Sequence, residues 1–197
     1  MSDSAVAAIR EGKAVILPTD TVYGLVADGY REAAARVLYA LKGRPESQPL
    51  ALLAADLDAI LDAVPELRGR AAVVARALLP GPLTLVLPNP ARRFRWLCGA
   101  EPEAIGIRVP LLPEAARAVV ERVGVLASTS ANLHGGPDPR RLDDVPGALR
   151  SRVGAILDVG ELPGTPSTVL DLTGEEPRVL REGAVLAVEA LARIPPP

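Results

Sequence analysis

The sequence is short of histidine, cysteine and aromatic residues, and these shortages exclude several kinds of protein. Its 197 residues include one His, one Cys and an aromatic fraction of 3%. The single Cys98 cannot form an internal disulfide and is typical of a reducing compartment, so we expect a cytoplasmic protein. With one His and one Cys, a metal site built by the protein is not expected. The core must be aliphatic, because hydrophobic residues make up 49% of the chain.

Long hydrophobic runs and several functional motifs are also missing. No apolar stretch approaches the roughly 20 residues of a membrane span, and residues 1–4 do not begin a secretory signal. The glycine-rich loops of P-loop and Rossmann sites, the metal motif His-Glu-x-x-His and the redox motif Cys-x-x-Cys are absent. The net charge of −2 argues against a protein that mainly binds nucleic-acid backbone, although it leaves room for a local basic pocket.

Apolar runs and breaker residues predict one α/β domain over 1–197. Strands and helices mix without strict alternation, so we expect a mixed sheet rather than a doubly wound parallel one. The predicted strands are 14–17, 50–53, 83–87, 105–109, 125–128, 155–158, 167–171 and 178–181. The predicted helices are 4–10, 31–41, 56–64, 66–79, 114–122, 144–152 and 185–193. A turn is predicted at 18–24, a mobile loop at 89–103 and a disordered tail at 195–197.

Lys42 and Arg44 follow the predicted helix 31–41, separated by Gly43, and they admit two interpretations. The Lys side chain carries a positive charge on a flexible stem, and the Arg guanidinium can donate two hydrogen bonds to one phosphate or carboxylate. The pair therefore predicts a site for an anionic ligand. Cations are also favoured at a helix C-terminus, where they oppose the helix dipole. Both interpretations stay open at this point.

Several predicted strands end in polar side chains, which we expect to meet in one cleft, because ligands bind where strand ends converge. Thr19, Thr21 and Tyr23 alternate and could form one hydrogen-bonding wall, or bond only to their own turn. Arg108 interrupts an apolar strand and would need an anionic partner if buried. The segment 128–132 offers hydroxyls and an amide for phosphate, ribose or carboxylate, or for a local cap.

Four residues are predicted to lack particular chemical roles. Ser130 is not expected to be an acyl-enzyme nucleophile, because no Gly-x-Ser-x-Gly surrounds it. The only histidine, His134, is predicted to be an exposed loop residue rather than a general base. Cys98 is predicted to be inert, and Trp96 to anchor its loop.

Seven segments, in this order, resemble signatures of the YrdC-type threonylcarbamoyl-AMP synthases. They are Pro18-Thr-Asp-Thr-Val-Tyr-Gly-Leu25, Lys42-Gly-Arg-Pro45, Pro80-Gly-Pro-Leu-Thr84, Gly106-Ile-Arg-Val-Pro110, Ser128-Thr-Ser-Ala-Asn132, Ser167-Thr-Val169 and Leu180-Arg-x-Gly183. The resemblance runs from about residue 8 to 186. It implies a twisted, YrdC-like mixed sheet flanked by helices, with a large concave face, in the short form that lacks a second domain.

The resemblance also implies an activity. The family condenses L-threonine, bicarbonate and ATP to threonylcarbamoyl-AMP and pyrophosphate, as a nucleotidyltransferase, with Mg²⁺ arriving on ATP. A downstream transferase complex then modifies adenosine 37 of tRNAs that read codons starting with A. Direct tRNA binding would be weak, and no membrane is involved.

Site residues follow from the same resemblance, position by position. Lys42 and Arg44 are implied to position the phosphates without a protein base. The implied ATP-binding set is Lys42, Arg44, Gln48, Ser130, Asn132 and Arg181. The implied threonine-binding set is Thr19, Thr21, Arg108, Ser128 and Ser167, with Arg108 on the threonine carboxylate.

One departure from the family pattern concerns Leu53, which stands where some members have a His near threonine, so amino-acid selectivity could be looser. Two alternatives to the synthase stay open, and Leu53 bears on the second of them. One is a non-catalytic RNA-binding module on the same concave face, against which the net charge weighs. The other is an enzyme that forms a related adenylate with another amino acid.

Overall fold

The computed structural model describes residues 2–196, whose strands form one mixed sheet. The strands are β1 (Val15–Pro18), β2 (Tyr23–Asp28), β3 (Ala51–Leu53), β4 (Leu83–Pro88), β5 (Ala104–Arg108), β6 (Leu126–Ser130), β7 (Ala155–Ile156), β8 (Thr168–Asp171) and β9 (Arg178–Arg181). The helices are α1 (Ser2–Arg10), α2 (Glu32–Lys42), α3 (Leu57–Ala63), α4 (Arg70–Leu78), α5 (Glu114–Val123), α6 (Gly147–Arg150) and α7 (Ala187–Ala192). Two short 3-10 helices lie at Arg95–Leu97 and Leu142–Asp144.

The strand order across the twisted sheet is β7-β1-β2-β6-β3-β5-β4-β8-β9. The pairs β1–β7, β3–β5 and β4–β8 are parallel. The pairs β1–β2, β2–β6, β3–β6, β4–β5 and β8–β9 are antiparallel. The predicted mixed α/β sheet flanked by helices is therefore confirmed.

The turn predicted at 18–24 is wrong from Tyr23 onward, because β2 begins there. Gly24 suggested a turn, but it lies inside β2 opposite Ser130 of β6. A Cβ on Gly24 would meet the Thr129 carbonyl oxygen at 3.6 Å, so the backbones pack closely here. The strand β6 also runs two residues further than predicted, to Ser130.

The two faces of the sheet bury different helices. Side chains alternate across a strand, so Leu25, Leu52 and Leu85 pack on the face covered by α2, α3 and α4. Leu53 and Leu126 point the other way, into a smaller cluster built with α1 and α5. Further along this second face, residues such as Ala51, Gly106 and Ser128 line a cleft.

Several predicted helices have different limits in the structure, and the helix predicted at 144–152 is reduced to Gly147–Arg150. The helix predicted at 66–79 begins only at Arg70, because Gly69 precedes it with a positive φ of 55°. The helix α2 includes Lys42, which was predicted to lie beyond it, and ends at Gly43 in the left-handed conformation, φ 62°. Within residues 2–196 no helix is long and apolar enough to cross a membrane.

The loop predicted to be mobile at 89–103 is packed against the body of the protein. The buried Asn89 donates through Nδ2 to the carbonyl oxygens of Arg93 at 2.8 Å and Pro102 at 3.0 Å. Trp96 donates through Nε1 to the Gly29 carbonyl at 3.1 Å, which confirms it as the loop's anchor. A Cβ on Gly99 would lie 2.5 Å from the Ser47 carbonyl oxygen, so the loop backbone lies directly on segment 47–49.

The C-terminal tail that was predicted to be disordered is described only in part. The Arg70 guanidinium donates to the carbonyl oxygens of Pro195 and Pro196. Pro197 lies outside the described residues.

Candidate functional site

The cleft on the second face has a volume of about 760 Å³ and is lined by small and polar side chains. Its floor is formed by Ala51 of β3, Thr84 of β4, Gly106 of β5 and Ser128 of β6. These positions share a face of the sheet with the apolar Leu53 and Leu126. Small side chains here leave room for a ligand on the sheet itself.

Four arginines line this cleft. Arg178 pairs with Asp171, and Arg44, Arg108 and Arg181 reach the cleft from separate parts of the chain. Burial lowers the pKa of Arg44, and the positive charge of Arg181 lowers it further. Burial also lowers the pKa of Arg108, and Arg181 adds to that effect. The charge of Arg181 therefore acts on both Arg44 and Arg108. An anion bound among these guanidinium groups would be stabilised.

Arg108 is held by the turn between β1 and β2. Its Nη2 donates to Asp20 Oδ1 at 2.9 Å, to Thr19 Oγ1 at 3.3 Å and to Thr21 Oγ1. Asp20 Oδ2 accepts from the Leu111 backbone N–H at 3.0 Å. The Arg108 Nε is buried and has no hydrogen-bond partner among the described residues. The guanidinium is thus fixed at one corner and retains donor capacity.

Thr19 and Thr21 are placed behind Arg108 and do not line the cleft. Both are buried, and Thr19 Oγ1 donates to the Val22 carbonyl at 2.7 Å. The backbone N–H groups of Thr21 and Val22 both approach Thr19 Oγ1 at 3.3 Å. The alternative that these hydroxyls serve their own turn, and through it Arg108, fits this geometry better than a ligand-binding wall.

Lys42 lies beneath the cleft rather than in it. Only 3% of its surface is exposed, and its Nζ donates to the Ser130 carbonyl at 2.6 Å, the Asn132 carbonyl at 2.7 Å and Asn132 Oδ1 at 2.6 Å. Burial lowers the pKa of Lys42 to about 8. All three ammonium protons are therefore engaged with the segment 130–132.

The segment that Lys42 holds carries two of the predicted site residues. Ser130 Oγ donates to Asn132 Oδ1 at 2.8 Å, and Asn132 Nδ2 donates to the Gly136 carbonyl at 2.6 Å. Ser130 lines the cleft, while Asn132 is buried beside Lys42. Lys42 and Asn132 thus fix the backbone that presents Ser130.

Arg44 and Arg181 reach the cleft from opposite sides. Arg44 donates through Nη2 to the Pro49 carbonyl at 2.8 Å and through Nη1 to Thr129 Oγ1 at 3.4 Å. Its Nε is buried and has no hydrogen-bond partner in the part of the chain that the structure describes. Arg181 donates to the Ser167 carbonyl at 2.8 and 3.1 Å and to Ser167 Oγ at 3.2 Å. Ser167 is therefore the acceptor that orients Arg181.

The predicted site residues divide into two groups. Those in the lining are Arg44, Arg108, Ser128, Ser130, Ser167 and Arg181, and those outside it are Thr19, Thr21, Lys42, Gln48 and Asn132. The departure at Leu53 is also outside the lining, because Leu53 packs in the cluster under α1 and α5. Leu53 therefore does not line the cleft, and it could not alter amino-acid selectivity by touching the substrate there.

Sequence reasoning missed two acidic residues, Asp20 and Asp138. Asp20 was interpreted as a turn residue, and only the fold reveals its ion pair with Arg108. Asp138 lines the cleft but belongs to no motif that the sequence analysis used. His134 is exposed, as predicted, and within residues 2–196 no group of His, Cys, Asp and Glu could hold a metal ion.

Comparison with known sequences gives a consistent result. A model of the Sua5/YciO/YrdC family, described as "Telomere recombination", matches residues 7–183. A Stenotrophomonas maltophilia protein named threonylcarbamoyl-AMP synthase is 38% identical over 167 residues, which are 82% of this chain and 87% of that protein. A Bacillus subtilis protein of the same name is 34% identical over 193 residues, which are 98% of this chain and 56% of that protein.

Solved structures share the fold over nearly the whole chain. The crystal structure of Pyrococcus abyssi Sua5 complexed with L-threonine superposes with a TM-score of 0.89 at 35% identity, covering 98% of this chain and 57% of that chain. The crystal structure of E. coli YciO superposes with a TM-score of 0.83 at 28% identity, covering 96% of this chain and 92% of that one. This chain thus spans little more than half of the P. abyssi protein.

Proposed function

The chain belongs to the Sua5/YciO/YrdC family, and we propose that it is a threonylcarbamoyl-AMP synthase, a nucleotidyltransferase that acts on L-threonine, bicarbonate and ATP. The observation that carries this proposal is the cluster of Arg44, Arg108 and Arg181 around one cleft. Carboxylate and phosphate are the ligands that guanidinium groups bind best. The names of the relatives favour this enzyme over a non-catalytic RNA-binding module.

The reaction we propose has two bond-forming steps. The amine nitrogen of threonine bonds to the bicarbonate carbon and water leaves, which gives the carbamate. A carbamate oxygen then bonds to the α-phosphorus of ATP, the bond between this phosphorus and the bridging oxygen breaks, and pyrophosphate leaves. Such a transfer depends on positioning and charge neutralisation more than on a protein base. A cleft that is lined by arginines, with no histidine among its described lining residues, suits that requirement.

The roles we propose follow the position of each residue. Arg108, fixed by Asp20, would bind the threonine carboxylate, with Ser128 beside it. Arg44, Arg181 and Ser130 would bind the ATP phosphates. Lys42 and Asn132 would act on ATP through the backbone that they hold, since Lys42 Nζ has three oxygen partners already. Mg²⁺ would arrive bound to ATP.

The proposed product is chemically reactive, which limits how long it can persist in free solution. A mixed carbamic–phosphoric anhydride is a reactive acyl donor, so it must be passed on quickly. We propose that a downstream threonylcarbamoyl-transferase complex uses it on tRNA, in the cytoplasm. With a net charge of −2, any direct contact of this chain with tRNA would be weak.

The proposal is tested by incubating the protein with ATP, bicarbonate and each of several amino acids, followed by mass spectrometry of the adenylate. We expect threonylcarbamoyl-AMP and stoichiometric pyrophosphate with threonine. An adenylate formed with another amino acid in preference to threonine would replace this substrate assignment. Tight, salt-dependent RNA binding without any turnover would favour the binding module instead.

A variant pair tests the phosphate site. Arg44→Ala is expected to reduce pyrophosphate release by about 100-fold or more, because an oriented charge on the transferring group is lost. The matched control is Arg117→Ala, which removes an exposed arginine on α5 that pairs only with Glu121. Equal rates for Arg44→Ala and the unmutated enzyme would show that the phosphates bind elsewhere.

A further inference from the structure

Among the described residues four carboxylates line the cleft, and Asp138 is the one placed to bind a cation there. Glu103 already pairs with an arginine outside the cleft at 2.5 Å. Asp171 Oδ1 accepts from the Thr173 N–H at 2.9 Å and from its hydroxyl at 2.6 Å. Glu101 is exposed to solvent, whereas Asp138 is half-buried. No hydrogen bond or ion pair within residues 2–196 occupies the Asp138 carboxylate.

The backbone around Asp138 is fixed on both sides. Pro137 and Pro139 flank it, and each proline ring restricts the backbone angles that are available here. The Tyr23 N–H donates to the Pro139 carbonyl at 2.9 Å, and Asn132 Nδ2 donates to the Gly136 carbonyl at 2.6 Å. The backbone that carries this carboxylate therefore has little conformational freedom to lose on binding.

The position of Asp138 is also electrostatically close to the proposed carboxylate site. Its negative charge raises the pKa of Arg108 and of Lys42, in each case against the larger lowering by burial. Asp20 cannot take the same role, since its two oxygens are used by Arg108 and the Leu111 N–H. Within residues 2–196, Asp138 is thus a half-buried cleft carboxylate without a partner. Its charge acts on Arg108, the cation that would hold a substrate carboxylate.

We infer that Asp138 binds the ammonium group of the amino-acid substrate while Arg108 binds its carboxylate, so that the cleft selects an α-amino acid as a zwitterion. An α-amino acid carries its ammonium and its carboxylate on the same carbon atom, which matches a carboxylate and a guanidinium that line the same cleft. This inference rests on the proposed function and makes Asp138 a specificity-determining residue. After the carbamate forms, its nitrogen keeps one N–H that still donates to Asp138.

The test compares two ligands that differ only in the amine, L-threonine and (R)-3-hydroxybutanoate. Dissociation constants are measured by calorimetry for the unmutated protein and for Asp138→Asn. We expect Asp138→Asn to raise the dissociation constant for threonine about tenfold, because a charge-assisted hydrogen bond is lost. Binding of 3-hydroxybutanoate is expected to stay the same or tighten, because a repulsive charge near its carboxylate is removed.

Two further variants control this comparison. Glu101→Gln removes another carboxylate from the lining and is expected to leave the ratio of the two dissociation constants unchanged. Asp138→Ser provides a second removal of the charge and should repeat the result of Asp138→Asn. Equal effects on both ligands, or no effect on threonine, would overturn the inference.

Turnover separates this inference from the proposed function. If the unmutated protein makes threonylcarbamoyl-AMP and Asp138→Asn leaves the KM for threonine unchanged, only the role of Asp138 is wrong. If the unmutated protein makes no adenylate from threonine, the proposed function itself is wrong. A raised KM with little change in kcat at saturating threonine is the outcome that we expect.

Discussion

The second face of the sheet has two halves, and the same strands cross from one to the other. In β6, Leu126 packs under α1 and α5, while Ser128 and Ser130 on the same side line the cleft. In β3, Leu53 lies in the covered half and Ala51 in the open half. One strand thus changes from apolar to small and polar within two residues. The change marks where helix cover ends and ligand space begins.

The two halves also differ in what they contribute to stability. The covered half buries leucine and valine side chains, which stabilise the fold by their removal from water. The open half holds guanidinium groups whose Nε atoms are buried without a partner, at Arg44 and Arg108. Buried donors without an acceptor cost free energy. We conclude that the open half is maintained for binding, at some expense of stability.

The largest expected effect is on the covered half. Leu126→Ala should lower the free energy of unfolding by about 2–5 kcal/mol, because a fully buried side chain is replaced by a cavity. Activity per folded molecule should be nearly unchanged. Urea denaturation followed by circular dichroism measures the first quantity, and pyrophosphate release measures the second.

The paired change in the open half is Ser128→Ala, two residues along the same strand. Its hydroxyl makes one long bond, 3.3 Å to the Ala51 carbonyl, so the loss of stability should stay below about 1 kcal/mol. If Ser128→Ala destabilised the protein as much as Leu126→Ala does, the division of the face into two halves would be wrong.

The next change fills the open half, and it is expected to reduce activity while the fold is kept. Gly106→Val should reduce activity by about 100-fold, because the new side chain occupies the cleft floor and displaces the substrate. The fold should tolerate it, since a Cβ at Gly106 would meet only ordinary contacts, the nearest being the Leu50 carbonyl at 3.7 Å. Valine also suits a strand. Steady-state pyrophosphate release and thermal melting measure the two outcomes.

The smaller substitution Gly106→Ala is expected to reduce activity to an intermediate extent. It adds one methyl group at the same point, so its activity should lie between those of the unmutated protein and Gly106→Val. Full activity in both variants would mean that substrate does not lie over Gly106.

A smaller effect is expected where the β1–β2 turn supports the open half. Asp20→Asn keeps the shape of the side chain but removes the charge that pairs with Arg108 at 2.9 Å. The KM for threonine should rise about tenfold, as expected when a hydrogen bond to a charged group is weakened. The KM for ATP should change much less. Initial rates at varied threonine and ATP distinguish the two, and a KM for threonine that stayed constant would refute the positioning role.

Apolar patterning predicted most of the strands, because strand burial depends mainly on local composition. The strand β9, Arg178–Arg181, was predicted with its observed bounds. The strand β2 was missed because its first residues, Tyr23 and Gly24, follow a hydroxyl-rich turn. Its strand conformation comes from pairing with β1 and β6. Long-range pairing of this kind leaves no local signal.

The kinds of residue in the site were easier to predict than which of them line the cleft and which are buried beneath it. Residue type left an anion site at Arg44 as one of two interpretations and predicted an anionic partner for a buried Arg108. The family resemblance implied a ligand for each, and both line the cleft. Lys42 was expected beside Arg44, yet it lies beneath the cleft, because the last turn of α2 directs it toward segment 130–132. Asp138 had no motif to signal it. Which polar residue faces a ligand depends on packing, which the sequence does not display.

The smallest expected effect concerns Lys42, which holds the segment 130–132 beneath the open half. Burial lowers its pKa to about 8, so below pH 8 its ammonium has three protons for three oxygens, and above pH 8 its amine has two. One bond to segment 130–132 is then lost, and ATP affinity should fall about fivefold between pH 7 and 9. Calorimetry with MgATP measures this. Lys42→Met should abolish the pH dependence, while Lys13→Met, at the only other lysine, should retain it. An affinity that stayed constant from pH 7 to 9 in the unmutated protein would mean that Lys42 does not govern the nucleotide site.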